Sequence, residues 1–163
     1  MDKKQFIRDA LLVGIVVTVV VVIYIISIIN RKPGEVATIN YDNKPLFSVS
    51  LNDGKLNYNT KVYEVNAMPK IEEGKLYVNN VLFEKLEKGS GVLVYENYYV
   101  ILGNVDYVMI EYNSKNKTIK VLEETSPYNI CSTQGESKGA PIVCLPNLVT
   151  ITFDGLKNVD EII

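Results

Sequence analysis

Two cysteines offer the most versatile side-chain chemistry in this chain of 163 residues. Cys131 and Cys144 enclose twelve residues, among them Gly135 and Gly139. In an oxidising compartment a disulfide is the default state of such a pair, and closing so short a loop stabilises a fold by about 3 kcal/mol. Buried free thiols and a redox or metal role remain open, although a structural zinc site normally takes four ligands.

The chain contains no histidine, which excludes the commonest catalytic and metal-binding constellations. Adjacent carboxylates occur at Glu72–Glu73, Glu123–Glu124 and Asp160–Glu161. Neighbouring residues on a strand point to opposite faces, so we expect these carboxylates to be solvated and not to act as acid–base pairs. The sequence therefore predicts no catalytic residue, no cofactor and no metal ligand, and it favours a protein that is not an enzyme.

The charge distribution argues against a nucleic-acid partner. Beyond the first 32 residues the chain has 12 basic and 17 acidic residues, a net charge of −5. Phosphate affinity is built from clustered Lys and Arg, which this part of the chain lacks.

A stretch of twenty uncharged residues, 10–29, sets the expected topology. As a helix it would be about 30 Å long, the thickness of the hydrocarbon layer of a bilayer. It has no polar stripe of the kind that a helix on a soluble core shows. The run is longer than the apolar part of a signal peptide and ends without a small-residue cleavage site, so we expect an uncleaved transmembrane helix. No cysteine stands directly after the run, which excludes a lipoprotein anchor.

Basic residues flank this run on both sides. Three of them and the amino terminus precede it, whereas Arg31 and Lys32 follow. The positive-inside rule then places residues 1–9 in the cytoplasm and the C-terminal domain outside it. We expect a single-pass protein of the cell membrane, held in the bilayer by residues 10–29. An envelope component or a neighbouring membrane protein is the class of partner that this topology favours.

Beyond Pro33 and Gly34 the pattern changes to short alternating apolar runs separated by turn signals, after a linker at 30–35. This pattern predicts an all-β soluble domain over 36–155, an antiparallel sandwich or small barrel, followed by a tail at 156–163. Strands are expected at 36–41, 46–51, 55–59, 61–65, 75–78, 81–83, 92–95, 98–102, 105–112, 118–122, 141–145 and 148–153.

Tyrosines are frequent in this part of the chain. We expect Tyr98, Tyr99, Tyr107 and Tyr112 to pack in the core and across strands. The alternative is a stacking platform for a sugar or a base, which requires the rings to be exposed together on one face.

The most specific stretch outside the apolar run surrounds the two cysteines. Residues 126–131 are followed by a glycine-containing connection, by residues 142–147 and by an apolar strand to 153. This arrangement resembles the C-terminal motif of the NusG domain II-like family of membrane-anchored small β proteins. The motif positions here are Pro127, Cys131, Cys144, Leu145, Pro146 and Asn147.

The resemblance extends to 36–51, which is similar to the opening hairpin of that family. Ser126 stands where the family has its first cysteine, so no function that needs three thiols is implied. Residues 55–104 are longer than the middle of the family, as though one or two hairpins were inserted. The resemblance implies an all-β domain of the NusG domain II kind on the outer face of the membrane, and it implies no established activity.

Two functions follow as hypotheses. The first is a non-catalytic binding or scaffold module displayed outside the cytoplasm by the membrane anchor. The alternative is a thiol/disulfide or electron-transfer accessory protein that uses Cys131 and Cys144, which requires an accessible thiol of low pKa.

Overall fold

The computed structural model describes residues 3–29, 34–124 and 130–154. The chain divides into two compact units between Lys32 and Pro33. Most of the expected linker, the motif residue Pro127 and the expected tail at 156–163 lie outside the described residues.

The first unit contains one helix, α1, Lys3–Ile29. It begins seven residues before the apolar run, and every side chain described in it, from 11 to 26, is exposed. The hydroxyl of Thr18 donates a hydrogen bond of 2.8 Å to the carbonyl of Gly14, which satisfies this polar group within the helix. Across the described part of the chain, no helix combines the length and the hydropathy that a membrane crossing demands.

The second unit is built from thirteen described strands in three sheets. Sheet A has the order β12-β13-β1-β2-β3, sheet B the order β11-β10-β9-β8-β4, and sheet C the order β5-β6-β7. The strands are β1 Val36–Tyr41, β2 Lys44–Ser50, β3 Leu56–Tyr58, β4 Val62–Glu64, β5 Lys70–Glu72, β6 Lys75–Val78, β7 Val81–Leu82, β8 Val92–Tyr95, β9 Tyr98–Leu102, β10 Tyr107–Asn113, β11 Thr118–Glu124, β12 Ile142–Cys144 and β13 Val149–Asp154.

Sheets A and B pack face to face as a sandwich. Their inner faces share one apolar core, which includes Ile39 and Phe47 of sheet A and Tyr99 of sheet B. The rings of Phe47 and Tyr99 lie 5.3 Å apart between centroids. Alternation along the strands of sheets A and B directs side chains of one face into this core, as the sequence pattern predicts. The prediction of an all-β domain is confirmed.

Sheet C adds a third layer against the outer face of sheet B. Leu76 of sheet C joins Leu93, Val100 and Met109 of sheet B in a second, smaller core. The three residues from sheet B are cross-strand neighbours on its outer face. Sheet C lies inside 55–104, the stretch in which we expect an insertion.

The expectation of a purely antiparallel domain is wrong at one pair. Strand β4 runs parallel to β8, with Val62 opposite Val92 and Glu64 opposite Val94. Parallel neighbours need a long crossover, because the chain must travel back along the sheet to the end at which the first strand begins. The crossover between β4 and β8 carries sheet C and supplies that length.

Candidate functional site

The two cysteines meet in the inner core. Cys131 lies just before the 3-10 turn Ser132–Gln134, and Cys144 ends β12 at the edge of sheet A. Their sulfur atoms form a disulfide, with the Cα atoms 5.3 Å apart. The exposed fractions of Cys131 and Cys144 are 0% and 1%. The structure thus brings the predicted pair together and seals it from solvent.

A third reactive side chain lies beside the pair. Glu124, the last residue of β11, has an exposed fraction of 5%. Its Oε1 accepts hydrogen bonds from the backbone N–H groups of Cys131 and Ser132, the latter at 3.3 Å. Its Oε2 lies 2.8 Å from Sγ of Cys131. Both backbone contacts fix the carboxylate so that its second oxygen faces the sulfur.

The expectation that Glu123 and Glu124 are both solvated is wrong for Glu124. A β-bulge places Val121 opposite Ile110 and Glu123 opposite Met109, which leaves Leu122 as the extra residue. The bulge reverses the alternation that follows it, so Glu124 faces the core and Glu123 faces outward. Period-two alternation from Ile119 and Val121 would have directed Glu123 inward, and the sequence carries no local sign of the bulge.

These three side chains form a potential ligand set. One ligand atom from each of Glu124, Cys131 and Cys144 lies within 4.8 Å of the others. In the described ranges of the chain this is the one group of three or more acidic, cysteine or histidine ligands close enough to hold a metal ion. The group is not predictable from the sequence, because the inward orientation of Glu124 depends on the bulge between β10 and β11.

The loop between the cysteines is tied to the β10–β11 turn by Glu136. The carboxylate accepts hydrogen bonds from the amides of Asn116 and Asn113, both at 3.0 Å, and from the hydroxyl of Thr118 at 2.9 Å. These three bonds hold the pKa of Glu136 below its usual value, with Asn116 contributing most. The backbone groups of Ile119 and Ser137 also exchange two hydrogen bonds of 2.9 Å. The loop is therefore held in place at its midpoint as well as at its cysteines.

The remaining described motif residues form a tight turn directly after Cys144. Leu145–Asn147 make a 3-10 turn that carries the Pro146 ring in its first turn, and Leu148 follows it in the left-handed region with φ of 54°. The fully buried Asn147 accepts hydrogen bonds on Oδ1 from the backbone N–H groups of Val105 and Asp106, at 3.2 and 2.9 Å. A Cβ at Gly103 would lie 2.6 Å from Cβ of Asn147. The motif thus fixes the β9–β10 loop, and Leu145 itself is exposed.

The tyrosines divide between the core and the surface. Tyr99, Tyr107 and Tyr112 are buried, as expected, and the hydroxyl of Tyr112 donates a hydrogen bond of 2.9 Å to the carbonyl of Leu51. Burial raises the pKa of the Tyr99 hydroxyl far above its usual value, with further contributions from Tyr58 and Tyr112. Tyr98 is half-buried on the outer face of sheet B.

Tyr98 belongs to a cross-strand row, called here the Tyr–Glu–Lys row, on the outer face of sheet B. The row runs from Tyr95 through Tyr98 and Glu111 to Lys120 on four adjacent strands. The rings of Tyr95 and Tyr98 lie 6.4 Å apart between centroids, with an interplanar angle of 19°. Nζ of Lys120 lies 2.9 Å from Oε2 of Glu111. The charge of Glu111 raises the pKa of the Tyr98 hydroxyl. Two partly exposed aromatic rings therefore share one face, which is the arrangement that a stacking platform requires.

Comparison with protein-family models, with curated proteins and with solved structures finds no match for this chain.

Proposed function

We propose that the protein is a single-pass membrane protein that displays its β domain outside the cytoplasm as a non-catalytic binding or scaffold module. The uninterrupted run at 10–29 carries the proposal: it is uncharged over twenty residues, and it forms part of one continuous helix. The described side chains of that helix, from 11 to 26, are all exposed. Exposed apolar side chains around the whole circumference of a helix suit a lipid environment.

The flanking charges support the proposed orientation, with residues 1–9 on the cytoplasmic side. A disulfide at Cys131–Cys144 suits an oxidising compartment. The resemblance of 126–131 and 142–147 to the NusG domain II-like family supports the same arrangement, and we propose membership of that family.

Labelling of an engineered cysteine in whole cells tests the anchor and the orientation together. Lys117 lies in an exposed turn of the β domain, and Lys4 lies before the apolar run. We expect Lys117→Cys to react with a membrane-impermeant maleimide in intact cells, and Lys4→Cys to react only after lysis. Labelling of Lys4→Cys alone would overturn the orientation, and recovery of the protein without membranes would overturn the anchor.

The binding role is supported by the Tyr–Glu–Lys row. Partly exposed aromatic rings beside charged groups are typical of recognition surfaces, because they offer apolar contact and hydrogen bonding together. A photoreactive residue in place of Tyr98, with one in place of the exposed Asn57 on sheet A as the control, tests this in native membranes. We expect one reproducible crosslinked product from position 98 and none from position 57. Recovery of uncrosslinked monomer from both positions counts against a binding module.

The alternative, a thiol/disulfide or electron-transfer accessory, requires solvent access to a sulfur atom. The burial of Cys131 and Cys144 counts against it. Equal rates of disulfide reduction by dithiothreitol in native and in urea-unfolded protein would revive this alternative.

A further inference from the structure

We propose that Glu124, Cys131 and Cys144 bind a thiophilic divalent cation, represented by Zn²⁺, once the disulfide between the cysteines is reduced. The inference concerns only the described cysteine site, and it does not depend on the membrane anchor or on the orientation of the chain.

The position of Glu124 provides the third ligand. Its Oε1 is occupied by two backbone N–H donors, so the carboxylate is held in one orientation. Supporting hydrogen bonds of this kind orient metal-binding carboxylates in other proteins. The other oxygen, Oε2, faces Sγ of Cys131 at 2.8 Å.

The disulfide form leaves Oε2 facing a poor partner. A disulfide sulfur has no proton to donate, and Glu124 has an exposed fraction of only 5%. Buried carboxylate oxygens normally require a hydrogen-bond donor or a cation. Reduction changes this, because the sulfurs can then share a cation with Oε2.

The distances allow one ion to contact all three side chains. The three ligand atoms lie within 4.8 Å of one another. Zn²⁺ binds thiolate sulfur at about 2.3 Å and carboxylate oxygen at about 2.0–2.2 Å, so one ion can reach all three atoms once the S–S bond is broken and the sulfurs move apart. The carbonyl oxygen of Val143 lies 3.7 Å from Sγ of Cys131 and offers a further oxygen near the three ligand atoms. Two thiolates select a soft cation over Mg²⁺ or Ca²⁺.

The chemical steps balance with a dithiol as reductant. The dithiol transfers two electrons and two protons to the Cys131–Cys144 disulfide and becomes a disulfide itself. Binding of the cation then releases the two thiol protons to the buffer. Two thiolates and one carboxylate carry three negative charges, of which Zn²⁺ neutralises two.

Cobalt and zinc titrations of the full chain in detergent micelles test the proposal. Reduced wild-type protein is expected to develop a sulfur-to-cobalt charge-transfer band at one Co²⁺ per chain, and Zn²⁺ should displace the cobalt. The oxidised protein should show no band. Glu124→Gln replaces the carboxylate ligand with a neutral amide and is expected to weaken Zn²⁺ binding by at least about tenfold.

Glu123→Gln is the matched control, because it removes the same charge from the neighbouring residue on the outward face. It should bind Zn²⁺ as the wild type does. Thiol titration in urea checks that each variant retains two thiols, and circular dichroism checks that the reduced chain keeps its β structure.

Three results would overturn the proposal. One is a reduced wild type that binds Zn²⁺ no more tightly than the Cys131→Ser, Cys144→Ser double variant. Another is equal Zn²⁺ affinity of Glu124→Gln and Glu123→Gln. The third is a reduced chain that loses its β structure and does not regain it when Zn²⁺ is added.

Discussion

The two faces of sheet B are used in different ways. Its inner face packs against sheet A over a large core that contains the disulfide, whereas its outer face packs against sheet C over a smaller core of six buried residues. The outer face also leaves the Tyr–Glu–Lys row partly open to solvent. The inner face thus buries most of the apolar side chains of the core, whereas the outer face presents accessible aromatic and charged side chains.

The largest expected effect is on the inner face. Phe47→Ala should lower the free energy of unfolding by about 3–5 kcal/mol, because it empties a site that is fully buried against Tyr99. Urea unfolding of the full chain in detergent measures this loss. Phe83→Ala is the control. The ring of Phe83 packs against that of Tyr63, with the centroids 5.7 Å apart, but it is only partly buried, so the loss should be about 1–2 kcal/mol. Equal losses would show that the two faces contribute alike.

The disulfide should give the next largest effect. Replacing both Cys131 and Cys144 with serine should lower the free energy of unfolding by about 3 kcal/mol, because the unfolded chain gains the entropy of an open loop. The urea midpoint of the variant measures this, with oxidised wild-type protein as the reference and reduced wild-type protein as the control for the change of cysteine to serine. An unchanged midpoint would mean that the inner core does not depend on the cross-link.

Leu76→Ala tests the outer core. We expect a loss of about 2 kcal/mol, at the low end of the usual range, because a three-stranded layer has room to relax around the cavity. Hydrogen exchange followed by mass spectrometry should show faster exchange in β5–β7 and unchanged exchange in β1 and β2 of sheet A. Faster exchange across all three sheets would show that the two cores unfold as one cooperative unit.

The smallest effect concerns the loop between Cys131 and Cys144. The pKa of Glu136 in the folded state lies below its usual 4.5, so its stabilising contribution is complete above the unfolded value and is lost as the pH falls through the folded value. Nuclear magnetic resonance should therefore show the Asn116 side-chain amide shifting with a midpoint below pH 4.5. In Glu136→Gln this shift should vanish. A wild-type midpoint at or above that pH would contradict the proposed contacts.

Sequence patterns were sufficient wherever the signal is local. Strands β1, β6, β8 and β9 occupy the predicted residues, because alternating apolar residues and flanking turns define them. The sequence pattern does not predict strand β5, since its three residues include a single apolar side chain. Its pairing with β6 depends on the turn at Glu73 and Gly74, where both residues have positive φ.

Features of the site that depend on a partner strand are not predictable from local sequence, although the cysteine pair is. The spacing of Cys131 and Cys144 suggested a bond, and the structure forms it. The neighbouring carboxylate depends on a bulge between β10 and β11, and a bulge is defined by the partner strand. The parallel pairing of β4 with β8 depends in the same way on where the chain returns after sheet C.

The crossover from β4 to β8 is a place at which the domain can accept changes in length. The crossover leaves from and returns to adjacent strands at one edge of sheet B, whereas Glu124 lies on β11 at the opposite edge. The entropy of closing a loop grows slowly with its length, so this connection can be lengthened, shortened or exchanged with little effect on strand order. The edge at β4 is thus a natural position for new modules, whether evolution or a protein engineer supplies them, and the cysteine site can stay constant while they vary.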